Sequence, residues 1–302
     1  MKLSIFKNRL KTTLIMTVIF VLLSVVIYYI TYALGYGRYA VTISLALSLV
    51  TSLISYWNSS KIVLKMNRAK SADQGIHQDA YNALRRVSQS AGIDMPKLYV
   101  MEDSSPNAFA TGRNPKNSVV CVTTGLLEKL DYYQLEGVIA HEVAHITNYD
   151  ILLSTIASVM IGVIIMISDI WTRSFWFRSA RRSQNERDNG ANAIMMIIGL
   201  VFIIIAPIAG QLLRFALSRN REYLADSTGA KYTGNPEGLA SALEIISSAS
   251  KPIATASNAT ANMFISDPMK ALNKRNMINL FSTHPPIEKR VERLRELKYN
   301  MY

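Results

Sequence analysis

The sequence predicts a mainly α-helical integral membrane protein with a small β-sheet (α+β), made of about four transmembrane helices and a cytoplasmic domain. Half of the 302 residues are hydrophobic, and many of them fall into four long runs with almost no charge. A transmembrane helix needs about 20 apolar residues, and each run has roughly 18–25. The runs lie at 12–37, 39–60, 151–168 and 189–213.

The first two runs predict a tight transmembrane hairpin at residues 1–60. The segment before the first run is basic and has no acid, a second basic stretch begins at Lys61, and the turn between the runs has only Arg38. Because positively charged flanks stay in the cytoplasm, we expect the N-terminus and the chain after Lys61 to lie there. The first run is too long for a signal peptide and no small-residue cleavage site follows it, so we expect it to remain attached.

Residues 151–213 predict a second hairpin, which separates two halves of the polar domain at 61–150 and 214–302. The connection inside this hairpin is rich in arginine. If both runs cross the membrane, the arginines lie outside, against the positive-inside rule. A re-entrant hairpin that dips into the membrane and returns therefore stays open beside the arrangement with four spans.

The polar halves contain the patterns of helices and strands. Residues 73–91 form an amphipathic helical pattern, and 97–101 and 118–123 are apolar and β-branched, as strands are. Asn235 and Pro236 are typical of a helix N-terminus. Residues 250–267 are rich in Ala, Ser, Asn and Thr, which predicts a flexible loop.

The strongest motif is HEVAH at 141–145, an HExxH pattern. On a helix, His141 and His145 lie on the same face, so one metal ion can bind both imidazoles. Glu142 lies close enough to reach a water on that metal without binding the metal itself. The motif predicts a catalytic Zn²⁺ site, one ion per chain, with Glu142 as the general base.

A catalytic zinc usually has three protein ligands, so a third is needed. The hairpin at 151–213 begins just after His145 and ends just before Glu222, and its two ends must lie close together. This topology selects Glu222 or Asp226, which are one helical turn apart. One can bind zinc while the other accepts the distal N–H of a ligand histidine. The alternative is that both acids pair only with nearby arginines.

Five segments together resemble the HtpX-type membrane metalloproteases, bacterial heat-shock proteases related to the CAAX prenyl endopeptidases. They are NAFATG at 107–112, TGLL at 124–127, HEVAH at 141–145, REYLAD at 221–226 and STHPP at 282–286. The resemblance implies a zincin-like catalytic domain in which His141, His145 and Glu222 bind zinc and Glu142 is the base. It also implies a multi-pass protein of the bacterial plasma membrane that removes misfolded or damaged membrane proteins from the cytoplasmic side in a stress response. Asp226 is then left to hold a ligand histidine.

Three further residues are candidates for the reaction. His284, held by two following prolines, is expected to stabilise the oxyanion or to occupy the open metal position in a resting state. The alternative role for His284 is to cap the last helix. The NAFATG segment is expected to be an edge strand that pairs with an extended substrate, with Asn107 and Ala108 in contact with it. An ordinary strand entry is the alternative there.

The expected partners are unfolded or membrane protein substrates and the lipid bilayer. A dedicated processing peptidase of the CAAX type remains an alternative, as does a membrane scaffold that zinc only stabilises. A transporter is disfavoured because ionisable residues are almost absent from the apolar runs. No nucleic acid is expected, although the formal charge is +12, because the basic residues lie at the ends of the spans. The sequence does not specify the oligomeric state.

Overall fold

The computed structural model describes residues 2–159, 162–163, 219–248, 251–254, 260–268 and 285–300. The described helices are α1 (Lys2–Thr31), α2 (Ala40–Met66), α3 (Gln78–Ala91), α4 (Thr124–Lys129), α5 (Tyr132–Thr147), α6 (151–159), α7 (Arg219–Thr233), α8 (Pro236–Ser248) and α9 (Ile287–Asn300). The described strands are β1 (Lys70–Ser71), β2 (Lys97–Met101), β3 (Ala108–Asn114) and β4 (Asn117–Thr123). The predicted fold of helices with a small sheet is confirmed.

Helices α1 and α2 form the predicted N-terminal hairpin. Thr12–Thr31 and Gly37–Met66 are long and apolar enough to cross a membrane, and only 22% of each apolar window is buried within the protein. The turn between the helices contains Gly35 and Gly37 with positive φ, which glycine adopts without strain. The face of α2 that is buried carries small polar residues such as Ser48 and Ser59. Small side chains let helices approach closely where lipid replaces water.

The four strands form one mixed sheet in the order β1-β2-β4-β3. Strand β4 pairs in parallel with β2 and antiparallel with β3, and β1 pairs antiparallel with β2. The predicted strands at 97–101 and 118–123 are thus confirmed as β2 and β4. Strand β3 lies at the end of this order, so the NAFATG segment from Ala108 onward is an edge strand of the sheet. Its outer side is bridged at one point, where Phe109 pairs antiparallel with Phe264.

Helix α5 occupies the centre of the domain, packed between α3, α7 and α8. Its apolar residues are fully buried, among them Val138, Ile139 and Val143. Glycine allows the closest approach, because a Cβ at Gly137 would lie 2.6 Å from the backbone nitrogen of Leu239 in α8. The helix that carries HExxH is therefore held on three sides, which restrains the positions of its side chains.

Helix α6 begins the third apolar run. It packs on α1, where Ile156 joins Ile15 and Leu23 in one buried cluster. It also contacts the sheet, since the hydroxyls of Thr155 and Thr111 lie 3.1 Å apart. Apart from residues 162–163, the rest of the predicted hairpin at 151–213 lies outside the described residues, so its depth in the membrane and the count of four spans stay predictions.

Candidate active site

Asp131 and Gln134, three residues apart, predict a capping box at the start of the HExxH helix, and the structure contains it. Asp131 accepts a hydrogen bond from the Gln134 backbone N–H at 2.9 Å, and the Gln134 side chain accepts one from the Asp131 N–H at 3.1 Å. This capping box starts α5 at Tyr132, two and a half turns before His141. His141 and Glu142 are 1% and 2% exposed, so the motif lies inside the domain.

Helix α7 brings Glu222 to the HExxH helix. The two helices touch at Gly229, where a Cβ would lie 3.0 Å from the carbonyl carbon of Ala140 and the nitrogen of His141. Nε2 of His141 lies 3.1 Å from Nε2 of His145. The Glu222 carboxylate oxygens lie 3.5 Å from the His145 Nε2 and 3.8 Å from the His141 Nε2.

These distances fit a tetrahedral metal site. Ligand atoms about 2.0–2.1 Å from zinc at tetrahedral angles are about 3.4 Å apart, close to the spacing of the three atoms. Two imidazoles and one carboxylate are also a donor set suited to zinc. His141, His145 and Glu222 could therefore hold one ion and leave a fourth position open to the cleft.

Each histidine has a carboxylate at its other ring nitrogen. Asp226 Oδ1 lies 2.8 Å from Nδ1 of His141, and Asp150 Oδ2 lies 3.4 Å from Nδ1 of His145. Such contacts fix the tautomer and the orientation of a ligand histidine. The role of Asp226 in holding a ligand histidine stays a prediction. Asp150 was missed, although a carboxylate just beyond the end of the HExxH helix was a visible signal.

A cleft opens onto these residues. It encloses about 480 Å³ of space open to solvent, and its lining includes His141, Glu142, His145 and Glu222. Ala110 of β3 forms part of the same wall, and its backbone is hydrogen-bonded to the Glu142 carboxylate. The edge strand therefore borders the metal-binding atoms directly.

Residues 76–298 match the sequence model of peptidase family M48, and this span contains every residue of the site. The chain belongs to peptidase family M48. It is 49% identical over 247 residues to a protein named Protease HtpX homolog from Thermoanaerobacter pseudethanolicus, covering 81% of this chain and 80% of the relative. A protein of the same name from Dictyoglomus thermophilum is 48% identical and covers 80% of this chain and 76% of the relative.

A third relative, a Protease HtpX homolog from Listeria monocytogenes, is 45% identical and covers 81% of this chain and 82% of the relative. The crystal structure of S. mikatae Ste24p aligns with a TM-score of 0.49 at 15% identity, over 97% of this chain and 67% of that chain. The resemblance to HtpX-type proteases found in the sequence is confirmed, and with it the enzyme class, a metalloprotease.

In this M48 peptidase, burial changes the proton affinity of the motif. Burial raises the pKa of Glu142 to about 7, against the attraction of His145. Burial also lowers the pKa of His141 to about 4. At His145 burial opposes protonation, but the contacts with Asp150 and Glu222 outweigh it and raise the pKa to about 9. The metal-free site therefore holds protons where a metal ion would supply positive charge.

Arg290 is the most important residue that the sequence analysis missed. It is fully buried, and its guanidinium binds Asp226 through two hydrogen bonds of 2.9 and 2.7 Å. It also donates to the carbonyl of Ile265 at 3.1 Å, and its Nη1 lies 3.7 Å from the Glu222 carboxylate. Arg290 thus positions the carboxylate that holds His141. In the sequence it looks like one more charge on an amphipathic surface helix.

The residues predicted to contact substrate lie beneath a neighbouring segment. Residues 260–268, predicted as part of a flexible loop, are instead packed on the edge of β3, with Phe264 fully buried. The Ile265 N–H donates to the carbonyl of Ala108 at 2.9 Å, and the Asn107 amide donates to the carbonyl of Ser266 at 3.0 Å. Substrate contact by Asn107 and Ala108 stays a prediction, and their edge is occupied here. His284 lies outside the described residues.

Proposed function

We propose that this chain is a membrane-bound zinc endopeptidase that cuts misfolded or damaged membrane proteins on the cytoplasmic side of the bacterial plasma membrane. The observation that carries the proposal is the spacing of 3.1–3.8 Å among the ligand atoms of His141, His145 and Glu222 beside a solvent-open cleft. Glu142 lies in the same cleft, which is what a hydrolytic site needs and a purely structural metal site does not.

The residues have separate roles in the proposed reaction. His141, His145 and Glu222 would hold the ion, which acidifies a water molecule and polarises the scissile carbonyl. Glu142 takes a proton from the attacking water and passes it to the leaving amine. Asp226 keeps His141 in one orientation and tautomer.

An extended substrate would lie along the cleft beside β3. The outer edge of β3 is itself occupied, because the Ile265 N–H donates to the Ala108 carbonyl and Phe109 pairs with Phe264. Ala110 lines the cleft, so a peptide that binds there in extended form is recognised through its main chain. Such recognition favours unfolded segments over a particular sequence, as quality control requires.

The test compares Glu142→Gln with the wild type and with Glu136→Gln. Glu136 is a buried carboxyl of the same helix, 2% exposed, that faces Arg86 of α3 rather than the cleft. Each protein is loaded with zinc in detergent and incubated with reduced, carboxymethylated α-lactalbumin, an unfolded protein. We expect cleavage by the wild type and Glu136→Gln, none by Glu142→Gln, and one zinc ion per chain in all three. Zinc binding without cleavage by any of them, including on a prenylated peptide, would favour the scaffold alternative.

Orientation is tested by labelling in intact cells. The chain has one cysteine, and Cys121 is 1% exposed, so an introduced cysteine provides the signal. A membrane-impermeant maleimide should label Arg38→Cys, in the turn of the first hairpin, without cell lysis. Ile76→Cys, at a residue 79% exposed in the catalytic domain, should react only after lysis. The reverse pattern would place the catalytic domain outside.

A further inference from the structure

Two buried hydrogen-bond donors of the cleft have no partner in the part of the chain that the structure describes. They are Nη2 of Arg221 and Nδ2 of Asn262, and neither donates to a protein group within hydrogen-bond distance. Both residues line the cleft together with Glu142, His145 and Glu222. Leaving a buried donor unpaired costs free energy, so such groups in a native protein call for an explanation. A ligand that enters the cleft and accepts two hydrogen bonds would supply one.

Each of these side chains is anchored on one side and presents its donor from the other. Nη1 of Arg221 lies 3.4 Å from Asp150, the carboxylate that also faces His145. Oδ1 of Asn262 accepts a hydrogen bond from the buried Ser158 hydroxyl at 3.3 Å. The anchored sides fix the orientation of the guanidinium and of the amide. Both donors are therefore pre-organised before any ligand binds, which lowers the entropic cost of binding.

We propose that Arg221 and Asn262 are substrate-binding residues that donate hydrogen bonds to main-chain carbonyl oxygens of an extended peptide. The peptide would lie in the cleft beside these two donors and across the metal-binding atoms. This inference rests on the proposed peptidase function and extends it to two further residues that line the cleft. Hydrogen bonds to the main chain explain how a site that recognises few side chains still holds its substrate in a fixed position relative to the metal-binding atoms.

The charge of the cleft favours a main-chain carbonyl over the carboxylate at the end of a peptide chain. Arg221 is already paired with Asp150, and Glu142 and Glu222 lie on the same cleft. Once a divalent ion is bound, the acids and cations of the site balance, so a carboxylate ligand would add one uncompensated buried charge, whereas a neutral carbonyl adds none. The site should therefore bind the middle of a chain, as an endopeptidase must.

The first experiment uses two conservative variants and the peptide that spans the main wild-type cut in carboxymethylated α-lactalbumin. Asn262→Asp keeps the oxygen that Ser158 contacts but replaces the free donor by an acceptor. Arg221→Lys keeps a cation beside Asp150 but loses the second planar donor. We expect KM to rise about tenfold in each variant, with kcat within about threefold of wild type and one zinc ion per chain. An unchanged KM in both variants, or a loss of zinc that accounts for the lower activity, would overturn the inference.

The second experiment changes the peptide instead of the protein. A series of peptides is made in which one backbone carbonyl at a time is replaced by CH₂. Their binding to zinc-loaded Glu142→Gln protein is measured by fluorescence anisotropy. We expect binding to weaken about tenfold when the replaced carbonyl is the one that Asn262 contacts. Combined with Asn262→Asp, the same change should cost almost nothing further, because the contact is already lost. Equal losses in both proteins at every position would refute the assignment, as would binding that needs a free peptide C-terminus and fails with an amidated one. Wild-type cleavage of α-lactalbumin shows separately whether the proposed function holds.

Discussion

Replacing Arg290 by Met should destabilise the metal-free protein strongly. Arg290 is 0% exposed and is the bidentate partner of Asp226, whose side chain is 5% exposed. Removing the guanidinium leaves that carboxylate buried without its main counter-charge. Loss of one member of a buried ion pair costs about 3–5 kcal/mol. For a folded unit of 150–250 residues each kcal/mol lowers Tm by about 2–4 °C, so we expect a decrease of about 6–20 °C.

Zinc should restore part of this stability. An ion bound to His141 places positive charge one residue away from Asp226, which contacts the Nδ1 of His141 at 2.8 Å. The decrease in Tm caused by Arg290→Met should therefore be smaller with saturating zinc than with a chelator. The Arg290→Met/Asp226→Asn double variant should lose less than the sum of the two single changes, because both remove the same interaction.

The assay is thermal unfolding of the purified protein in detergent, with zinc and with a chelator. Arg295→Met is the matched control, since Arg295 lies on the same helix but its side chain is 43% exposed and pairs with Glu237 and Glu244 at the surface. A solvent-exposed ion pair contributes little to stability, so this variant should stay close to wild type. Equal Tm values for Arg290→Met and Arg295→Met would refute the argument that Arg290 is needed to balance buried charge.

Two further predictions follow from α5. Gly229→Ala should weaken zinc binding about tenfold in a competition titration, because the added Cβ, 3.0 Å from the His141 nitrogen, pushes the helix that carries Glu222 away; unchanged affinity would contradict the close contact. Burial raises the pKa of Glu136, and the attraction of Arg86 only partly opposes this. The folded protein therefore binds a proton at the Glu136 carboxyl more tightly than the unfolded chain does. Its stability consequently decreases as the pH rises above about 4.3, the pKa of an unperturbed Glu. Glu136→Gln should therefore raise Tm at pH 8 but not at pH 4, and an equal effect at both would count against it.

The local parts of the fold and site were readable from the sequence. The capping box at Asp131, the strands β2 and β4 and the HExxH motif are each encoded within a few residues, so period and spacing identify them. A topological argument from the ends of the hairpin at 151–213 narrowed the third ligand to Glu222 or Asp226, and the resemblance to the HtpX-type proteases selected Glu222. The structure supplies a more direct cause in the described residues, the helix contact at Gly229.

The parts that the sequence did not reveal depend on packing between distant segments. Arg290 and Asn262 lie in stretches that read as a polar helix and a polar loop, and only the folded chain buries them. Asp150 follows the HExxH helix and Arg221 begins the REYLAD segment, but their pairing, which joins α7 to the end of α5, depends on the folded chain. A pattern in one segment cannot indicate which charge of another segment it will meet.

The charge balance of the buried site explains why Arg221 and Arg290 are present and why zinc must displace protons when it binds. Glu142, Asp150, Glu222 and Asp226 contribute four negative charges when ionised, and Arg221 and Arg290 contribute two positive ones. A divalent cation balances the remainder of about two negative charges, and the metal-free site must take up protons instead. The pKa values of about 7 for Glu142 and about 9 for His145 agree with this.

Because His145 must lose its proton to bind a metal, zinc affinity should increase from pH 6 to pH 9. Competition titrations at four pH values test this, and a constant affinity would show that protons do not replace the ion.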